Sequence, residues 1–313
     1  MMKQDWKKHD SEVKPGMFIE GKWHKKKYLI KKKLGAGAIG SVYLCDVNGR
    51  PAALKISDNS TSMTVEVNVL KSLEKVQGTR LGPYLLDVDD WVSPLGAKYS
   101  FYVMEYLKGE PLGTFIQQQG KEWLGVFMLQ LLEDLNKLHQ SGWVFGDLKT
   151  ENLMVIQTPP RLRWVDVGGT TQIGRAIKEY TEFYDRGYWG MGTRRAEPSY
   201  DLFAFVMVFL HVYYPKRFEK GANPEATLMR KLNEVKALTP YRHVLKKALM
   251  GKYTSSADMK RDLIQLLQRV QQHKQTQTRS QSRKKVNSTK PVAMEIGGLT
   301  FLAVGYYLLS LLL

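Results

Sequence analysis

The run Phe145-Gly146-Asp147-Leu148-Lys149-Thr150-Glu151-Asn152, with Asp166 downstream, gathers the residue types that phosphoryl transfer needs. Asp147 can take the proton of an attacking hydroxyl, and Lys149 can neutralise a phosphate as it moves. Asn152 and Asp166 offer oxygen ligands of the kind Mg²⁺ requires, with Mn²⁺ an acceptable substitute. Apolar runs at 153–156 and 162–165, joined across Pro159-Pro160, predict a hairpin whose open end sets Asn152 opposite Asp166.

Two further groups fit the same chemistry. Leu34-Gly35-Ala36-Gly37-Ala38-Ile39-Gly40-Ser41-Val42 lies between two predicted strands, so its glycines can bring backbone N–H groups close to phosphate oxygens. A strand rather than a helix follows, which argues against a dinucleotide-binding turn. Lys55 ends the apolar run Ala52-Ala53-Leu54 and needs an anionic partner if it faces inward. Glu66 supplies one, because in a helix over 61–74 it shares a face with Val69, Leu70 and Leu73; Glu74 is the weaker choice.

Positioning these groups takes two kinds of structure. Strands are predicted at 28–34, 41–46, 52–56 and 99–105, and helices dominate from Leu124 onward. Leu124, Phe127, Met128, Leu131, Leu135 and Leu138 mark one helix face, and 202–214 reads as a buried central helix with His211 as a core histidine. The expected class is α+β, with a β-rich part before a helical part. Cys45 is the single cysteine, which excludes an intramolecular disulfide, and its place in a predicted strand makes it core filling.

The chain of 313 residues is 43% hydrophobic and carries a formal charge of +17. That charge excludes an acidic, self-solvating protein and calls for an anionic partner. Lys22, Lys25, Lys26, Lys27, Lys31, Lys32 and Lys33 form one basic run beside Trp23 and Tyr28; Arg283, Lys284 and Lys285 belong to a second. DNA and anionic lipid are the two expected partners for them. Ile296 to Leu313 has no charged residue, long enough to cross most of a bilayer, and the preceding basic stretch places its near side in the cytoplasm. The expected organisation is an N-terminal basic arm at 1–21, a folded domain at 22–271, a basic linker at 272–290 and a single-pass anchor in the cell membrane at 291–313, with the catalytic domain cytoplasmic.

These motifs, over about residues 28–268, resemble the eukaryotic-like (Hanks-type) protein kinases of bacteria. The resemblance implies a bilobal fold with ATP between the lobes, Lys55 and Glu66 as the ATP-binding pair, Asp147 as base with Lys149, and Asn152 and Asp166 as metal ligands. It places a hinge at Glu105 to Leu107 and a gatekeeper at Met104 within Val103-Met104-Glu105-Tyr106. Asp-Leu-Lys in the catalytic loop and Gly192-Thr193, read as the Gly-Thr pair of the acceptor site, favour Ser/Thr over Tyr. Gly146 stands where the family has arginine, Asp166-Val167-Gly168 where it has D-F-G, and Ala196-Glu197-Pro198 near its A-P-E. More narrowly, the chain resembles the YabT-like single-span kinases of spore-forming bacilli, which implies sporulation and contact with DNA. Protein substrates and autophosphorylation are expected, with Thr170, Thr171, Thr181 and Thr193 as candidate sites. The alternatives are a small-molecule phosphotransferase and an inactive kinase-like binding module.

Overall fold

Alternating patterns in the first third of the chain become a six-stranded antiparallel sheet. Its strands are β1 (Phe18–Glu20), β2 (Lys27–Ala36), β3 (Ser41–Val47), β4 (Arg50–Ser57), β5 (Leu85–Val92) and β6 (Lys98–Glu105), in spatial order β1-β2-β3-β4-β6-β5. The computed structural model describes residues 13–37, 40–74, 81–156 and 159–284. Helix α1 (Ser60–Glu74), whose first turn is capped by the Asn59 side chain accepting from Ser62 N at 3.0 Å, packs on β5 and β6.

Two of these strands carry no clear sequence signal. β1 has three residues and falls inside the stretch expected to be a free arm, yet Ile19 is fully buried and Val13 packs in the same core. β5 is inverted: Asp87, Asp89 and Trp91 face inward while Leu86, Val88 and Val92 are exposed. Its acids are buried because the 21–26 loop folds over them. Asp89 accepts from the backbone N–H groups of Trp23 (2.9 Å) and His24 (2.8 Å), and Asp87 from the Tyr28 hydroxyl.

The helical part comprises α2 (Leu112–Gln119), α3 (Trp123–Gln140), α4 (Pro198–Tyr213), α5 (Pro224–Glu234), α6 (Arg242–Leu249) and α7 (Ser256–Lys284). Short strands β7 (Glu110–Pro111), β9 (Leu153–Ile156) and β10 (Arg161–Trp164) form one small sheet, and β8 (Trp143–Val144) pairs with β11 (Thr171–Gln172). Helix α4 is apolar on every side and buried from Tyr200 to Leu210, so it is the post on which the catalytic segments are mounted. One apolar cluster spans both parts, joining Ala53 and Met104 of the sheet to Leu153 and Val167 beneath. The α+β, two-part expectation matches this arrangement.

Helix α7 packs along α3 and continues through position 271, where a linker was expected to begin, to Lys284. Arg283 and Lys284 are its last residues; Lys285 and the expected anchor at 291–313 lie outside the described residues. Among the described residues no helix is long and apolar enough to cross a membrane.

Candidate active site

Antiparallel pairing puts Lys55 in the middle of the sheet, opposite Val42 on β3 and Tyr102 on β6. Its Nζ lies 2.8 Å from Glu66 Oε2 on α1 and 3.4 Å from Asp166 Oδ1. Lys55 and Glu66 side chains are 5% and 1% exposed. Burial alone would lower the lysine's pKa, but Asp166 and Glu66 together raise it, so the ammonium form is secured. Tyr102 donates to Glu66 Oε2 at 2.7 Å, a partner that sequence spacing did not reveal. Burial favours the neutral form of Asp166, yet the charge of Lys55 and the Gly168 N–H at 2.9 Å hold its carboxyl below the usual range.

The β9–β10 register places Trp164 opposite Leu153, and Val165 N donates to Asn152 O at 3.0 Å. Asn152 and Asp166 therefore flank the open end of the hairpin. Asn152 uses Nδ2 to donate to the Asp147 carbonyl at 2.9 Å, which leaves its Oδ1 as the oxygen for a cation. Asp147 is bonded to Lys149 Nζ through one carboxylate oxygen and accepts from the Thr181 hydroxyl at 3.0 Å through the other.

The backbone of this loop is fixed from below. Asp201 on α4 is fully buried and accepts from Phe145 N at 2.7 Å and Gly146 N at 3.0 Å, with His139 Nε2 at 2.9 Å on the same carboxylate. An acid inside an otherwise apolar helix was the available signal for this role. Gly146 has φ +80°, and a Cβ there would lie 2.4 Å from the Gly169 carbonyl oxygen. The loops bearing Asp147 and Asp166 thus touch backbone to backbone, which explains why arginine is absent at 146.

Above the lysine, the glycine-rich turn joins β2 to β3. Gly35 and Ala36 end β2, Leu34 is exposed, and Ser41 and Val42 open β3. Gly37 N donates to Gly40 O at 2.8 Å, and a Cβ on Gly40 would meet the Ile56 carbonyl oxygen at 2.3 Å. Ala38 and Ile39 lie outside the described residues. At the back of the cleft Met104 is buried beside Ala53, and Leu107 is 9% exposed. Glu105 pairs with Arg163 at 3.0 Å, tying the connection between the two parts to β10. These residues fit a nucleotide with its cation: apolar walls for a base, a secured lysine for phosphates and two oxygen donors for the metal.

The acceptor side departs from expectation. Thr181, not Thr193, meets the catalytic residues; Thr193 is exposed and its carbonyl accepts from Arg186 Nε at 2.7 Å. The threonine bonded to Asp147 is therefore Thr181 and not the Thr193 of the Gly192-Thr193 pair. Glu197 of the Ala-Glu-Pro stretch receives Arg186 at 2.6 Å, and Arg186 also reaches Ser199, so this buried arginine straps the acceptor segment to the start of α4. Among the candidate phosphosites, Thr170 is 5% exposed, Thr171 donates to Gly169 O at 3.0 Å and Thr181 is engaged by Asp147, which leaves Thr193 as the open one.

The basic run also divides. Lys26 pairs with Asp87 at 3.0 Å and Lys27 with Glu20 at 3.4 Å, and Lys22 covers the Trp23 ring at 4.2 Å. Lys31, Lys32 and Lys33 lie exposed along β2, and Lys25 adopts φ 58° in the preceding turn. A uniformly free row of seven cations is not what forms, because Asp87, distant in sequence, and Glu20, on the adjacent strand, fold against it.

Residues 28–288 match the protein kinase domain family. The chain is 49% identical over 264 residues to the serine/threonine-protein kinase YabT of Bacillus subtilis, covering 84% of this chain and 78% of YabT. It is 27% identical over 227 residues to the sporulation protein kinase mde3 of Schizosaccharomyces pombe, covering 65% of this chain and 40% of that one. It is 28% identical over 176 residues to PknG of Mycobacterium leprae, covering 52% and 22%. With a cleft that pairs Lys55 with Glu66 and gathers Asp147, Asn152 and Asp166 below it, the chain belongs to the protein kinase family as a bacterial Hanks-type serine/threonine kinase similar to YabT.

Proposed function

We propose that this kinase transfers phosphate with Asp147 as the proton acceptor and works, anchored, at the cytoplasmic face of the cell membrane. The observation that carries the catalytic assignment is the convergence of Thr181, Lys149 and Asn152 on Asp147. Asp147 orients the serine or threonine hydroxyl of a protein substrate and takes its proton as the new O–P bond forms. Lys149 offsets charge on the moving phosphoryl group. Lys55, steadied by Glu66, holds the nucleotide phosphates, the 34–42 turn covers them, and Met104, Glu105 and Leu107 border the base. Asn152 and Asp166 would hold Mg²⁺ or Mn²⁺. ATP with that cation supplies the phosphoryl group and screens its charge. Incubating the full chain with labelled ATP and Mg²⁺ tests this: label on serine or threonine of the chain itself, absent from Asp147→Asn, supports both the assignment and autophosphorylation.

Membrane anchoring rests on the uncharged run 296–313 behind a basic stretch. Alkaline extraction of membranes containing the full chain should leave it in the pellet; release into the supernatant contradicts anchoring. DNA contact rests on exposed Lys31 and Lys32 of β2 and on the charge of +17. Affinity for duplex DNA should then fall with salt at a log–log slope of about 0.9 per phosphate contact. A role in sporulation is proposed only as what the resemblance to the single-span kinases of spore-forming bacilli implies.

A further inference from the structure

The acceptor loop at residues 180–189 is rich in aromatic rings, and cations from outside it cover three sides. The Arg194 guanidinium lies 4.1 Å from the Tyr180 ring centroid. Arg217 lies 5.7 Å from Phe183 and 5.5 Å from Tyr184, and Lys220 Nζ lies 4.4 Å from Tyr188 while donating to its carbonyl at 3.1 Å. These rings are joined to the catalytic loop: Thr150, next to Lys149, makes a 2.9 Å hydrogen bond with the Tyr184 hydroxyl. A substrate whose hydroxyl reaches Asp147 must lay its neighbouring residues against this rim.

Three of the acids that would attract a basic substrate are engaged. Glu151, on the turn after Lys149, is held by Arg217 Nη2 at 2.7 Å, and Asp185 is fully buried and held by Arg194 at 2.7 Å. Glu197 is held by Arg186. Exposed Glu179, Glu182 and Glu219 remain, set against exposed Arg175, Lys178, Arg195 and Lys216. The backbone bonding Ala176↔Arg195 brings Arg195 beside the 175–178 segment, so like charges share one edge there. Arg217 also has φ 60°, a left-handed conformation uncommon for a non-glycine residue, and it is kept by its contacts to Glu151 and the two rings.

We propose that this rim selects acidic protein segments, with Arg217 as the principal specificity-determining residue. Its guanidinium keeps Glu151 on one nitrogen and has further N–H donors in a planar fork for a substrate carboxylate. A basic substrate side chain meets the opposite situation, since it gains Glu151 only by displacing Arg217. The proposal rests on Asp147 as the point that the substrate hydroxyl reaches.

The test uses the full chain and two serine peptides that differ only in carrying aspartates or lysines on both sides of the acceptor. The parent should phosphorylate the acidic peptide with at least tenfold higher kcat/KM, and Arg217→Glu should lower that ratio at least tenfold. Lys220→Glu should lower it in the same direction, and it carries the test if Arg217→Glu fails to fold by its thermal midpoint. Equal use of both peptides by the parent, preference for the basic one, or an unchanged ratio in folded variants overturns the proposal. Asp147→Asn removes transfer to both peptides, so failure of the catalytic assignment is read separately from failure of the rim.

Discussion

Two ion pairs border the candidate site and differ most in their exposure. Lys55 and Glu66 are 5% and 1% exposed, with Tyr102 and Asp166 completing their bonding. Arg217 and Glu151 are 36% and 50% exposed on the acceptor rim. A buried pair cannot exchange partners without stranding a charge, so it fixes geometry. An exposed pair contributes little stability and remains open to a charged visitor. On the proposed assignment, nucleotide chemistry, the same for every substrate, sits on the first kind, and choice of substrate on the second.

Breaking the buried pair should have the largest effect. Lys55→Met leaves Glu66 without its cation and should lower unfolding free energy by about 3–5 kcal/mol in chemical denaturation, besides abolishing transfer. Lys55→Met with Glu66→Met should recover most of that stability and none of the activity, which separates the two roles. Next, burial raises the carboxyl of Asp134 from 3.8 to about 6, with Arg161 opposing. The fold therefore favours the protonated acid, and stability should decline as pH rises through about 6, by up to about 3 kcal/mol. Asp134→Asn should flatten that slope in thermal melts between pH 4 and 7, where about 4 is the ordinary aspartate range. Gly146→Ala should cost about 1–2 kcal/mol from the left-handed backbone alone, with more from the contact to Gly169, and urea unfolding checks it. The smallest effect is that of Arg217→Ala on stability, less than about 1 kcal/mol by the same measurement.

The cleft was more legible in the sequence than the acceptor side, for a physical reason. Lys55 stands in an apolar strand, Glu66 shares a helix face with core residues, and Asn152 and Asp166 bracket a short hairpin, so local pattern marks each of them and the family resemblance joins them. Thr181 and Thr193 offer no such periodicity, since the segment between β11 and α4 is mostly irregular and is ordered by side-chain bonds of Arg186 and Arg194 within it and by a long-range bond to Asp147. A Gly-Thr dipeptide was the visible signal there, and it pointed twelve residues too far along the chain, as the numbering of Thr181 and Thr193 shows. β5 was hidden because its acids face inward, which inverts the usual pattern, and the acid that engages Lys26 was invisible because it is distant in sequence.

The most direct measurement is the rate of phosphoryl transfer by the full chain and by Asp147→Asn, at saturating ATP and Mg²⁺ with matched thermal midpoints. A proton acceptor at this position predicts a fall in kcat of about 10²–10⁴-fold with nucleotide affinity retained. An Asp147→Asn chain that keeps a tenth or more of the parent rate would contradict the assignment of Asp147 and, with it, the division of labour between the two ion pairs.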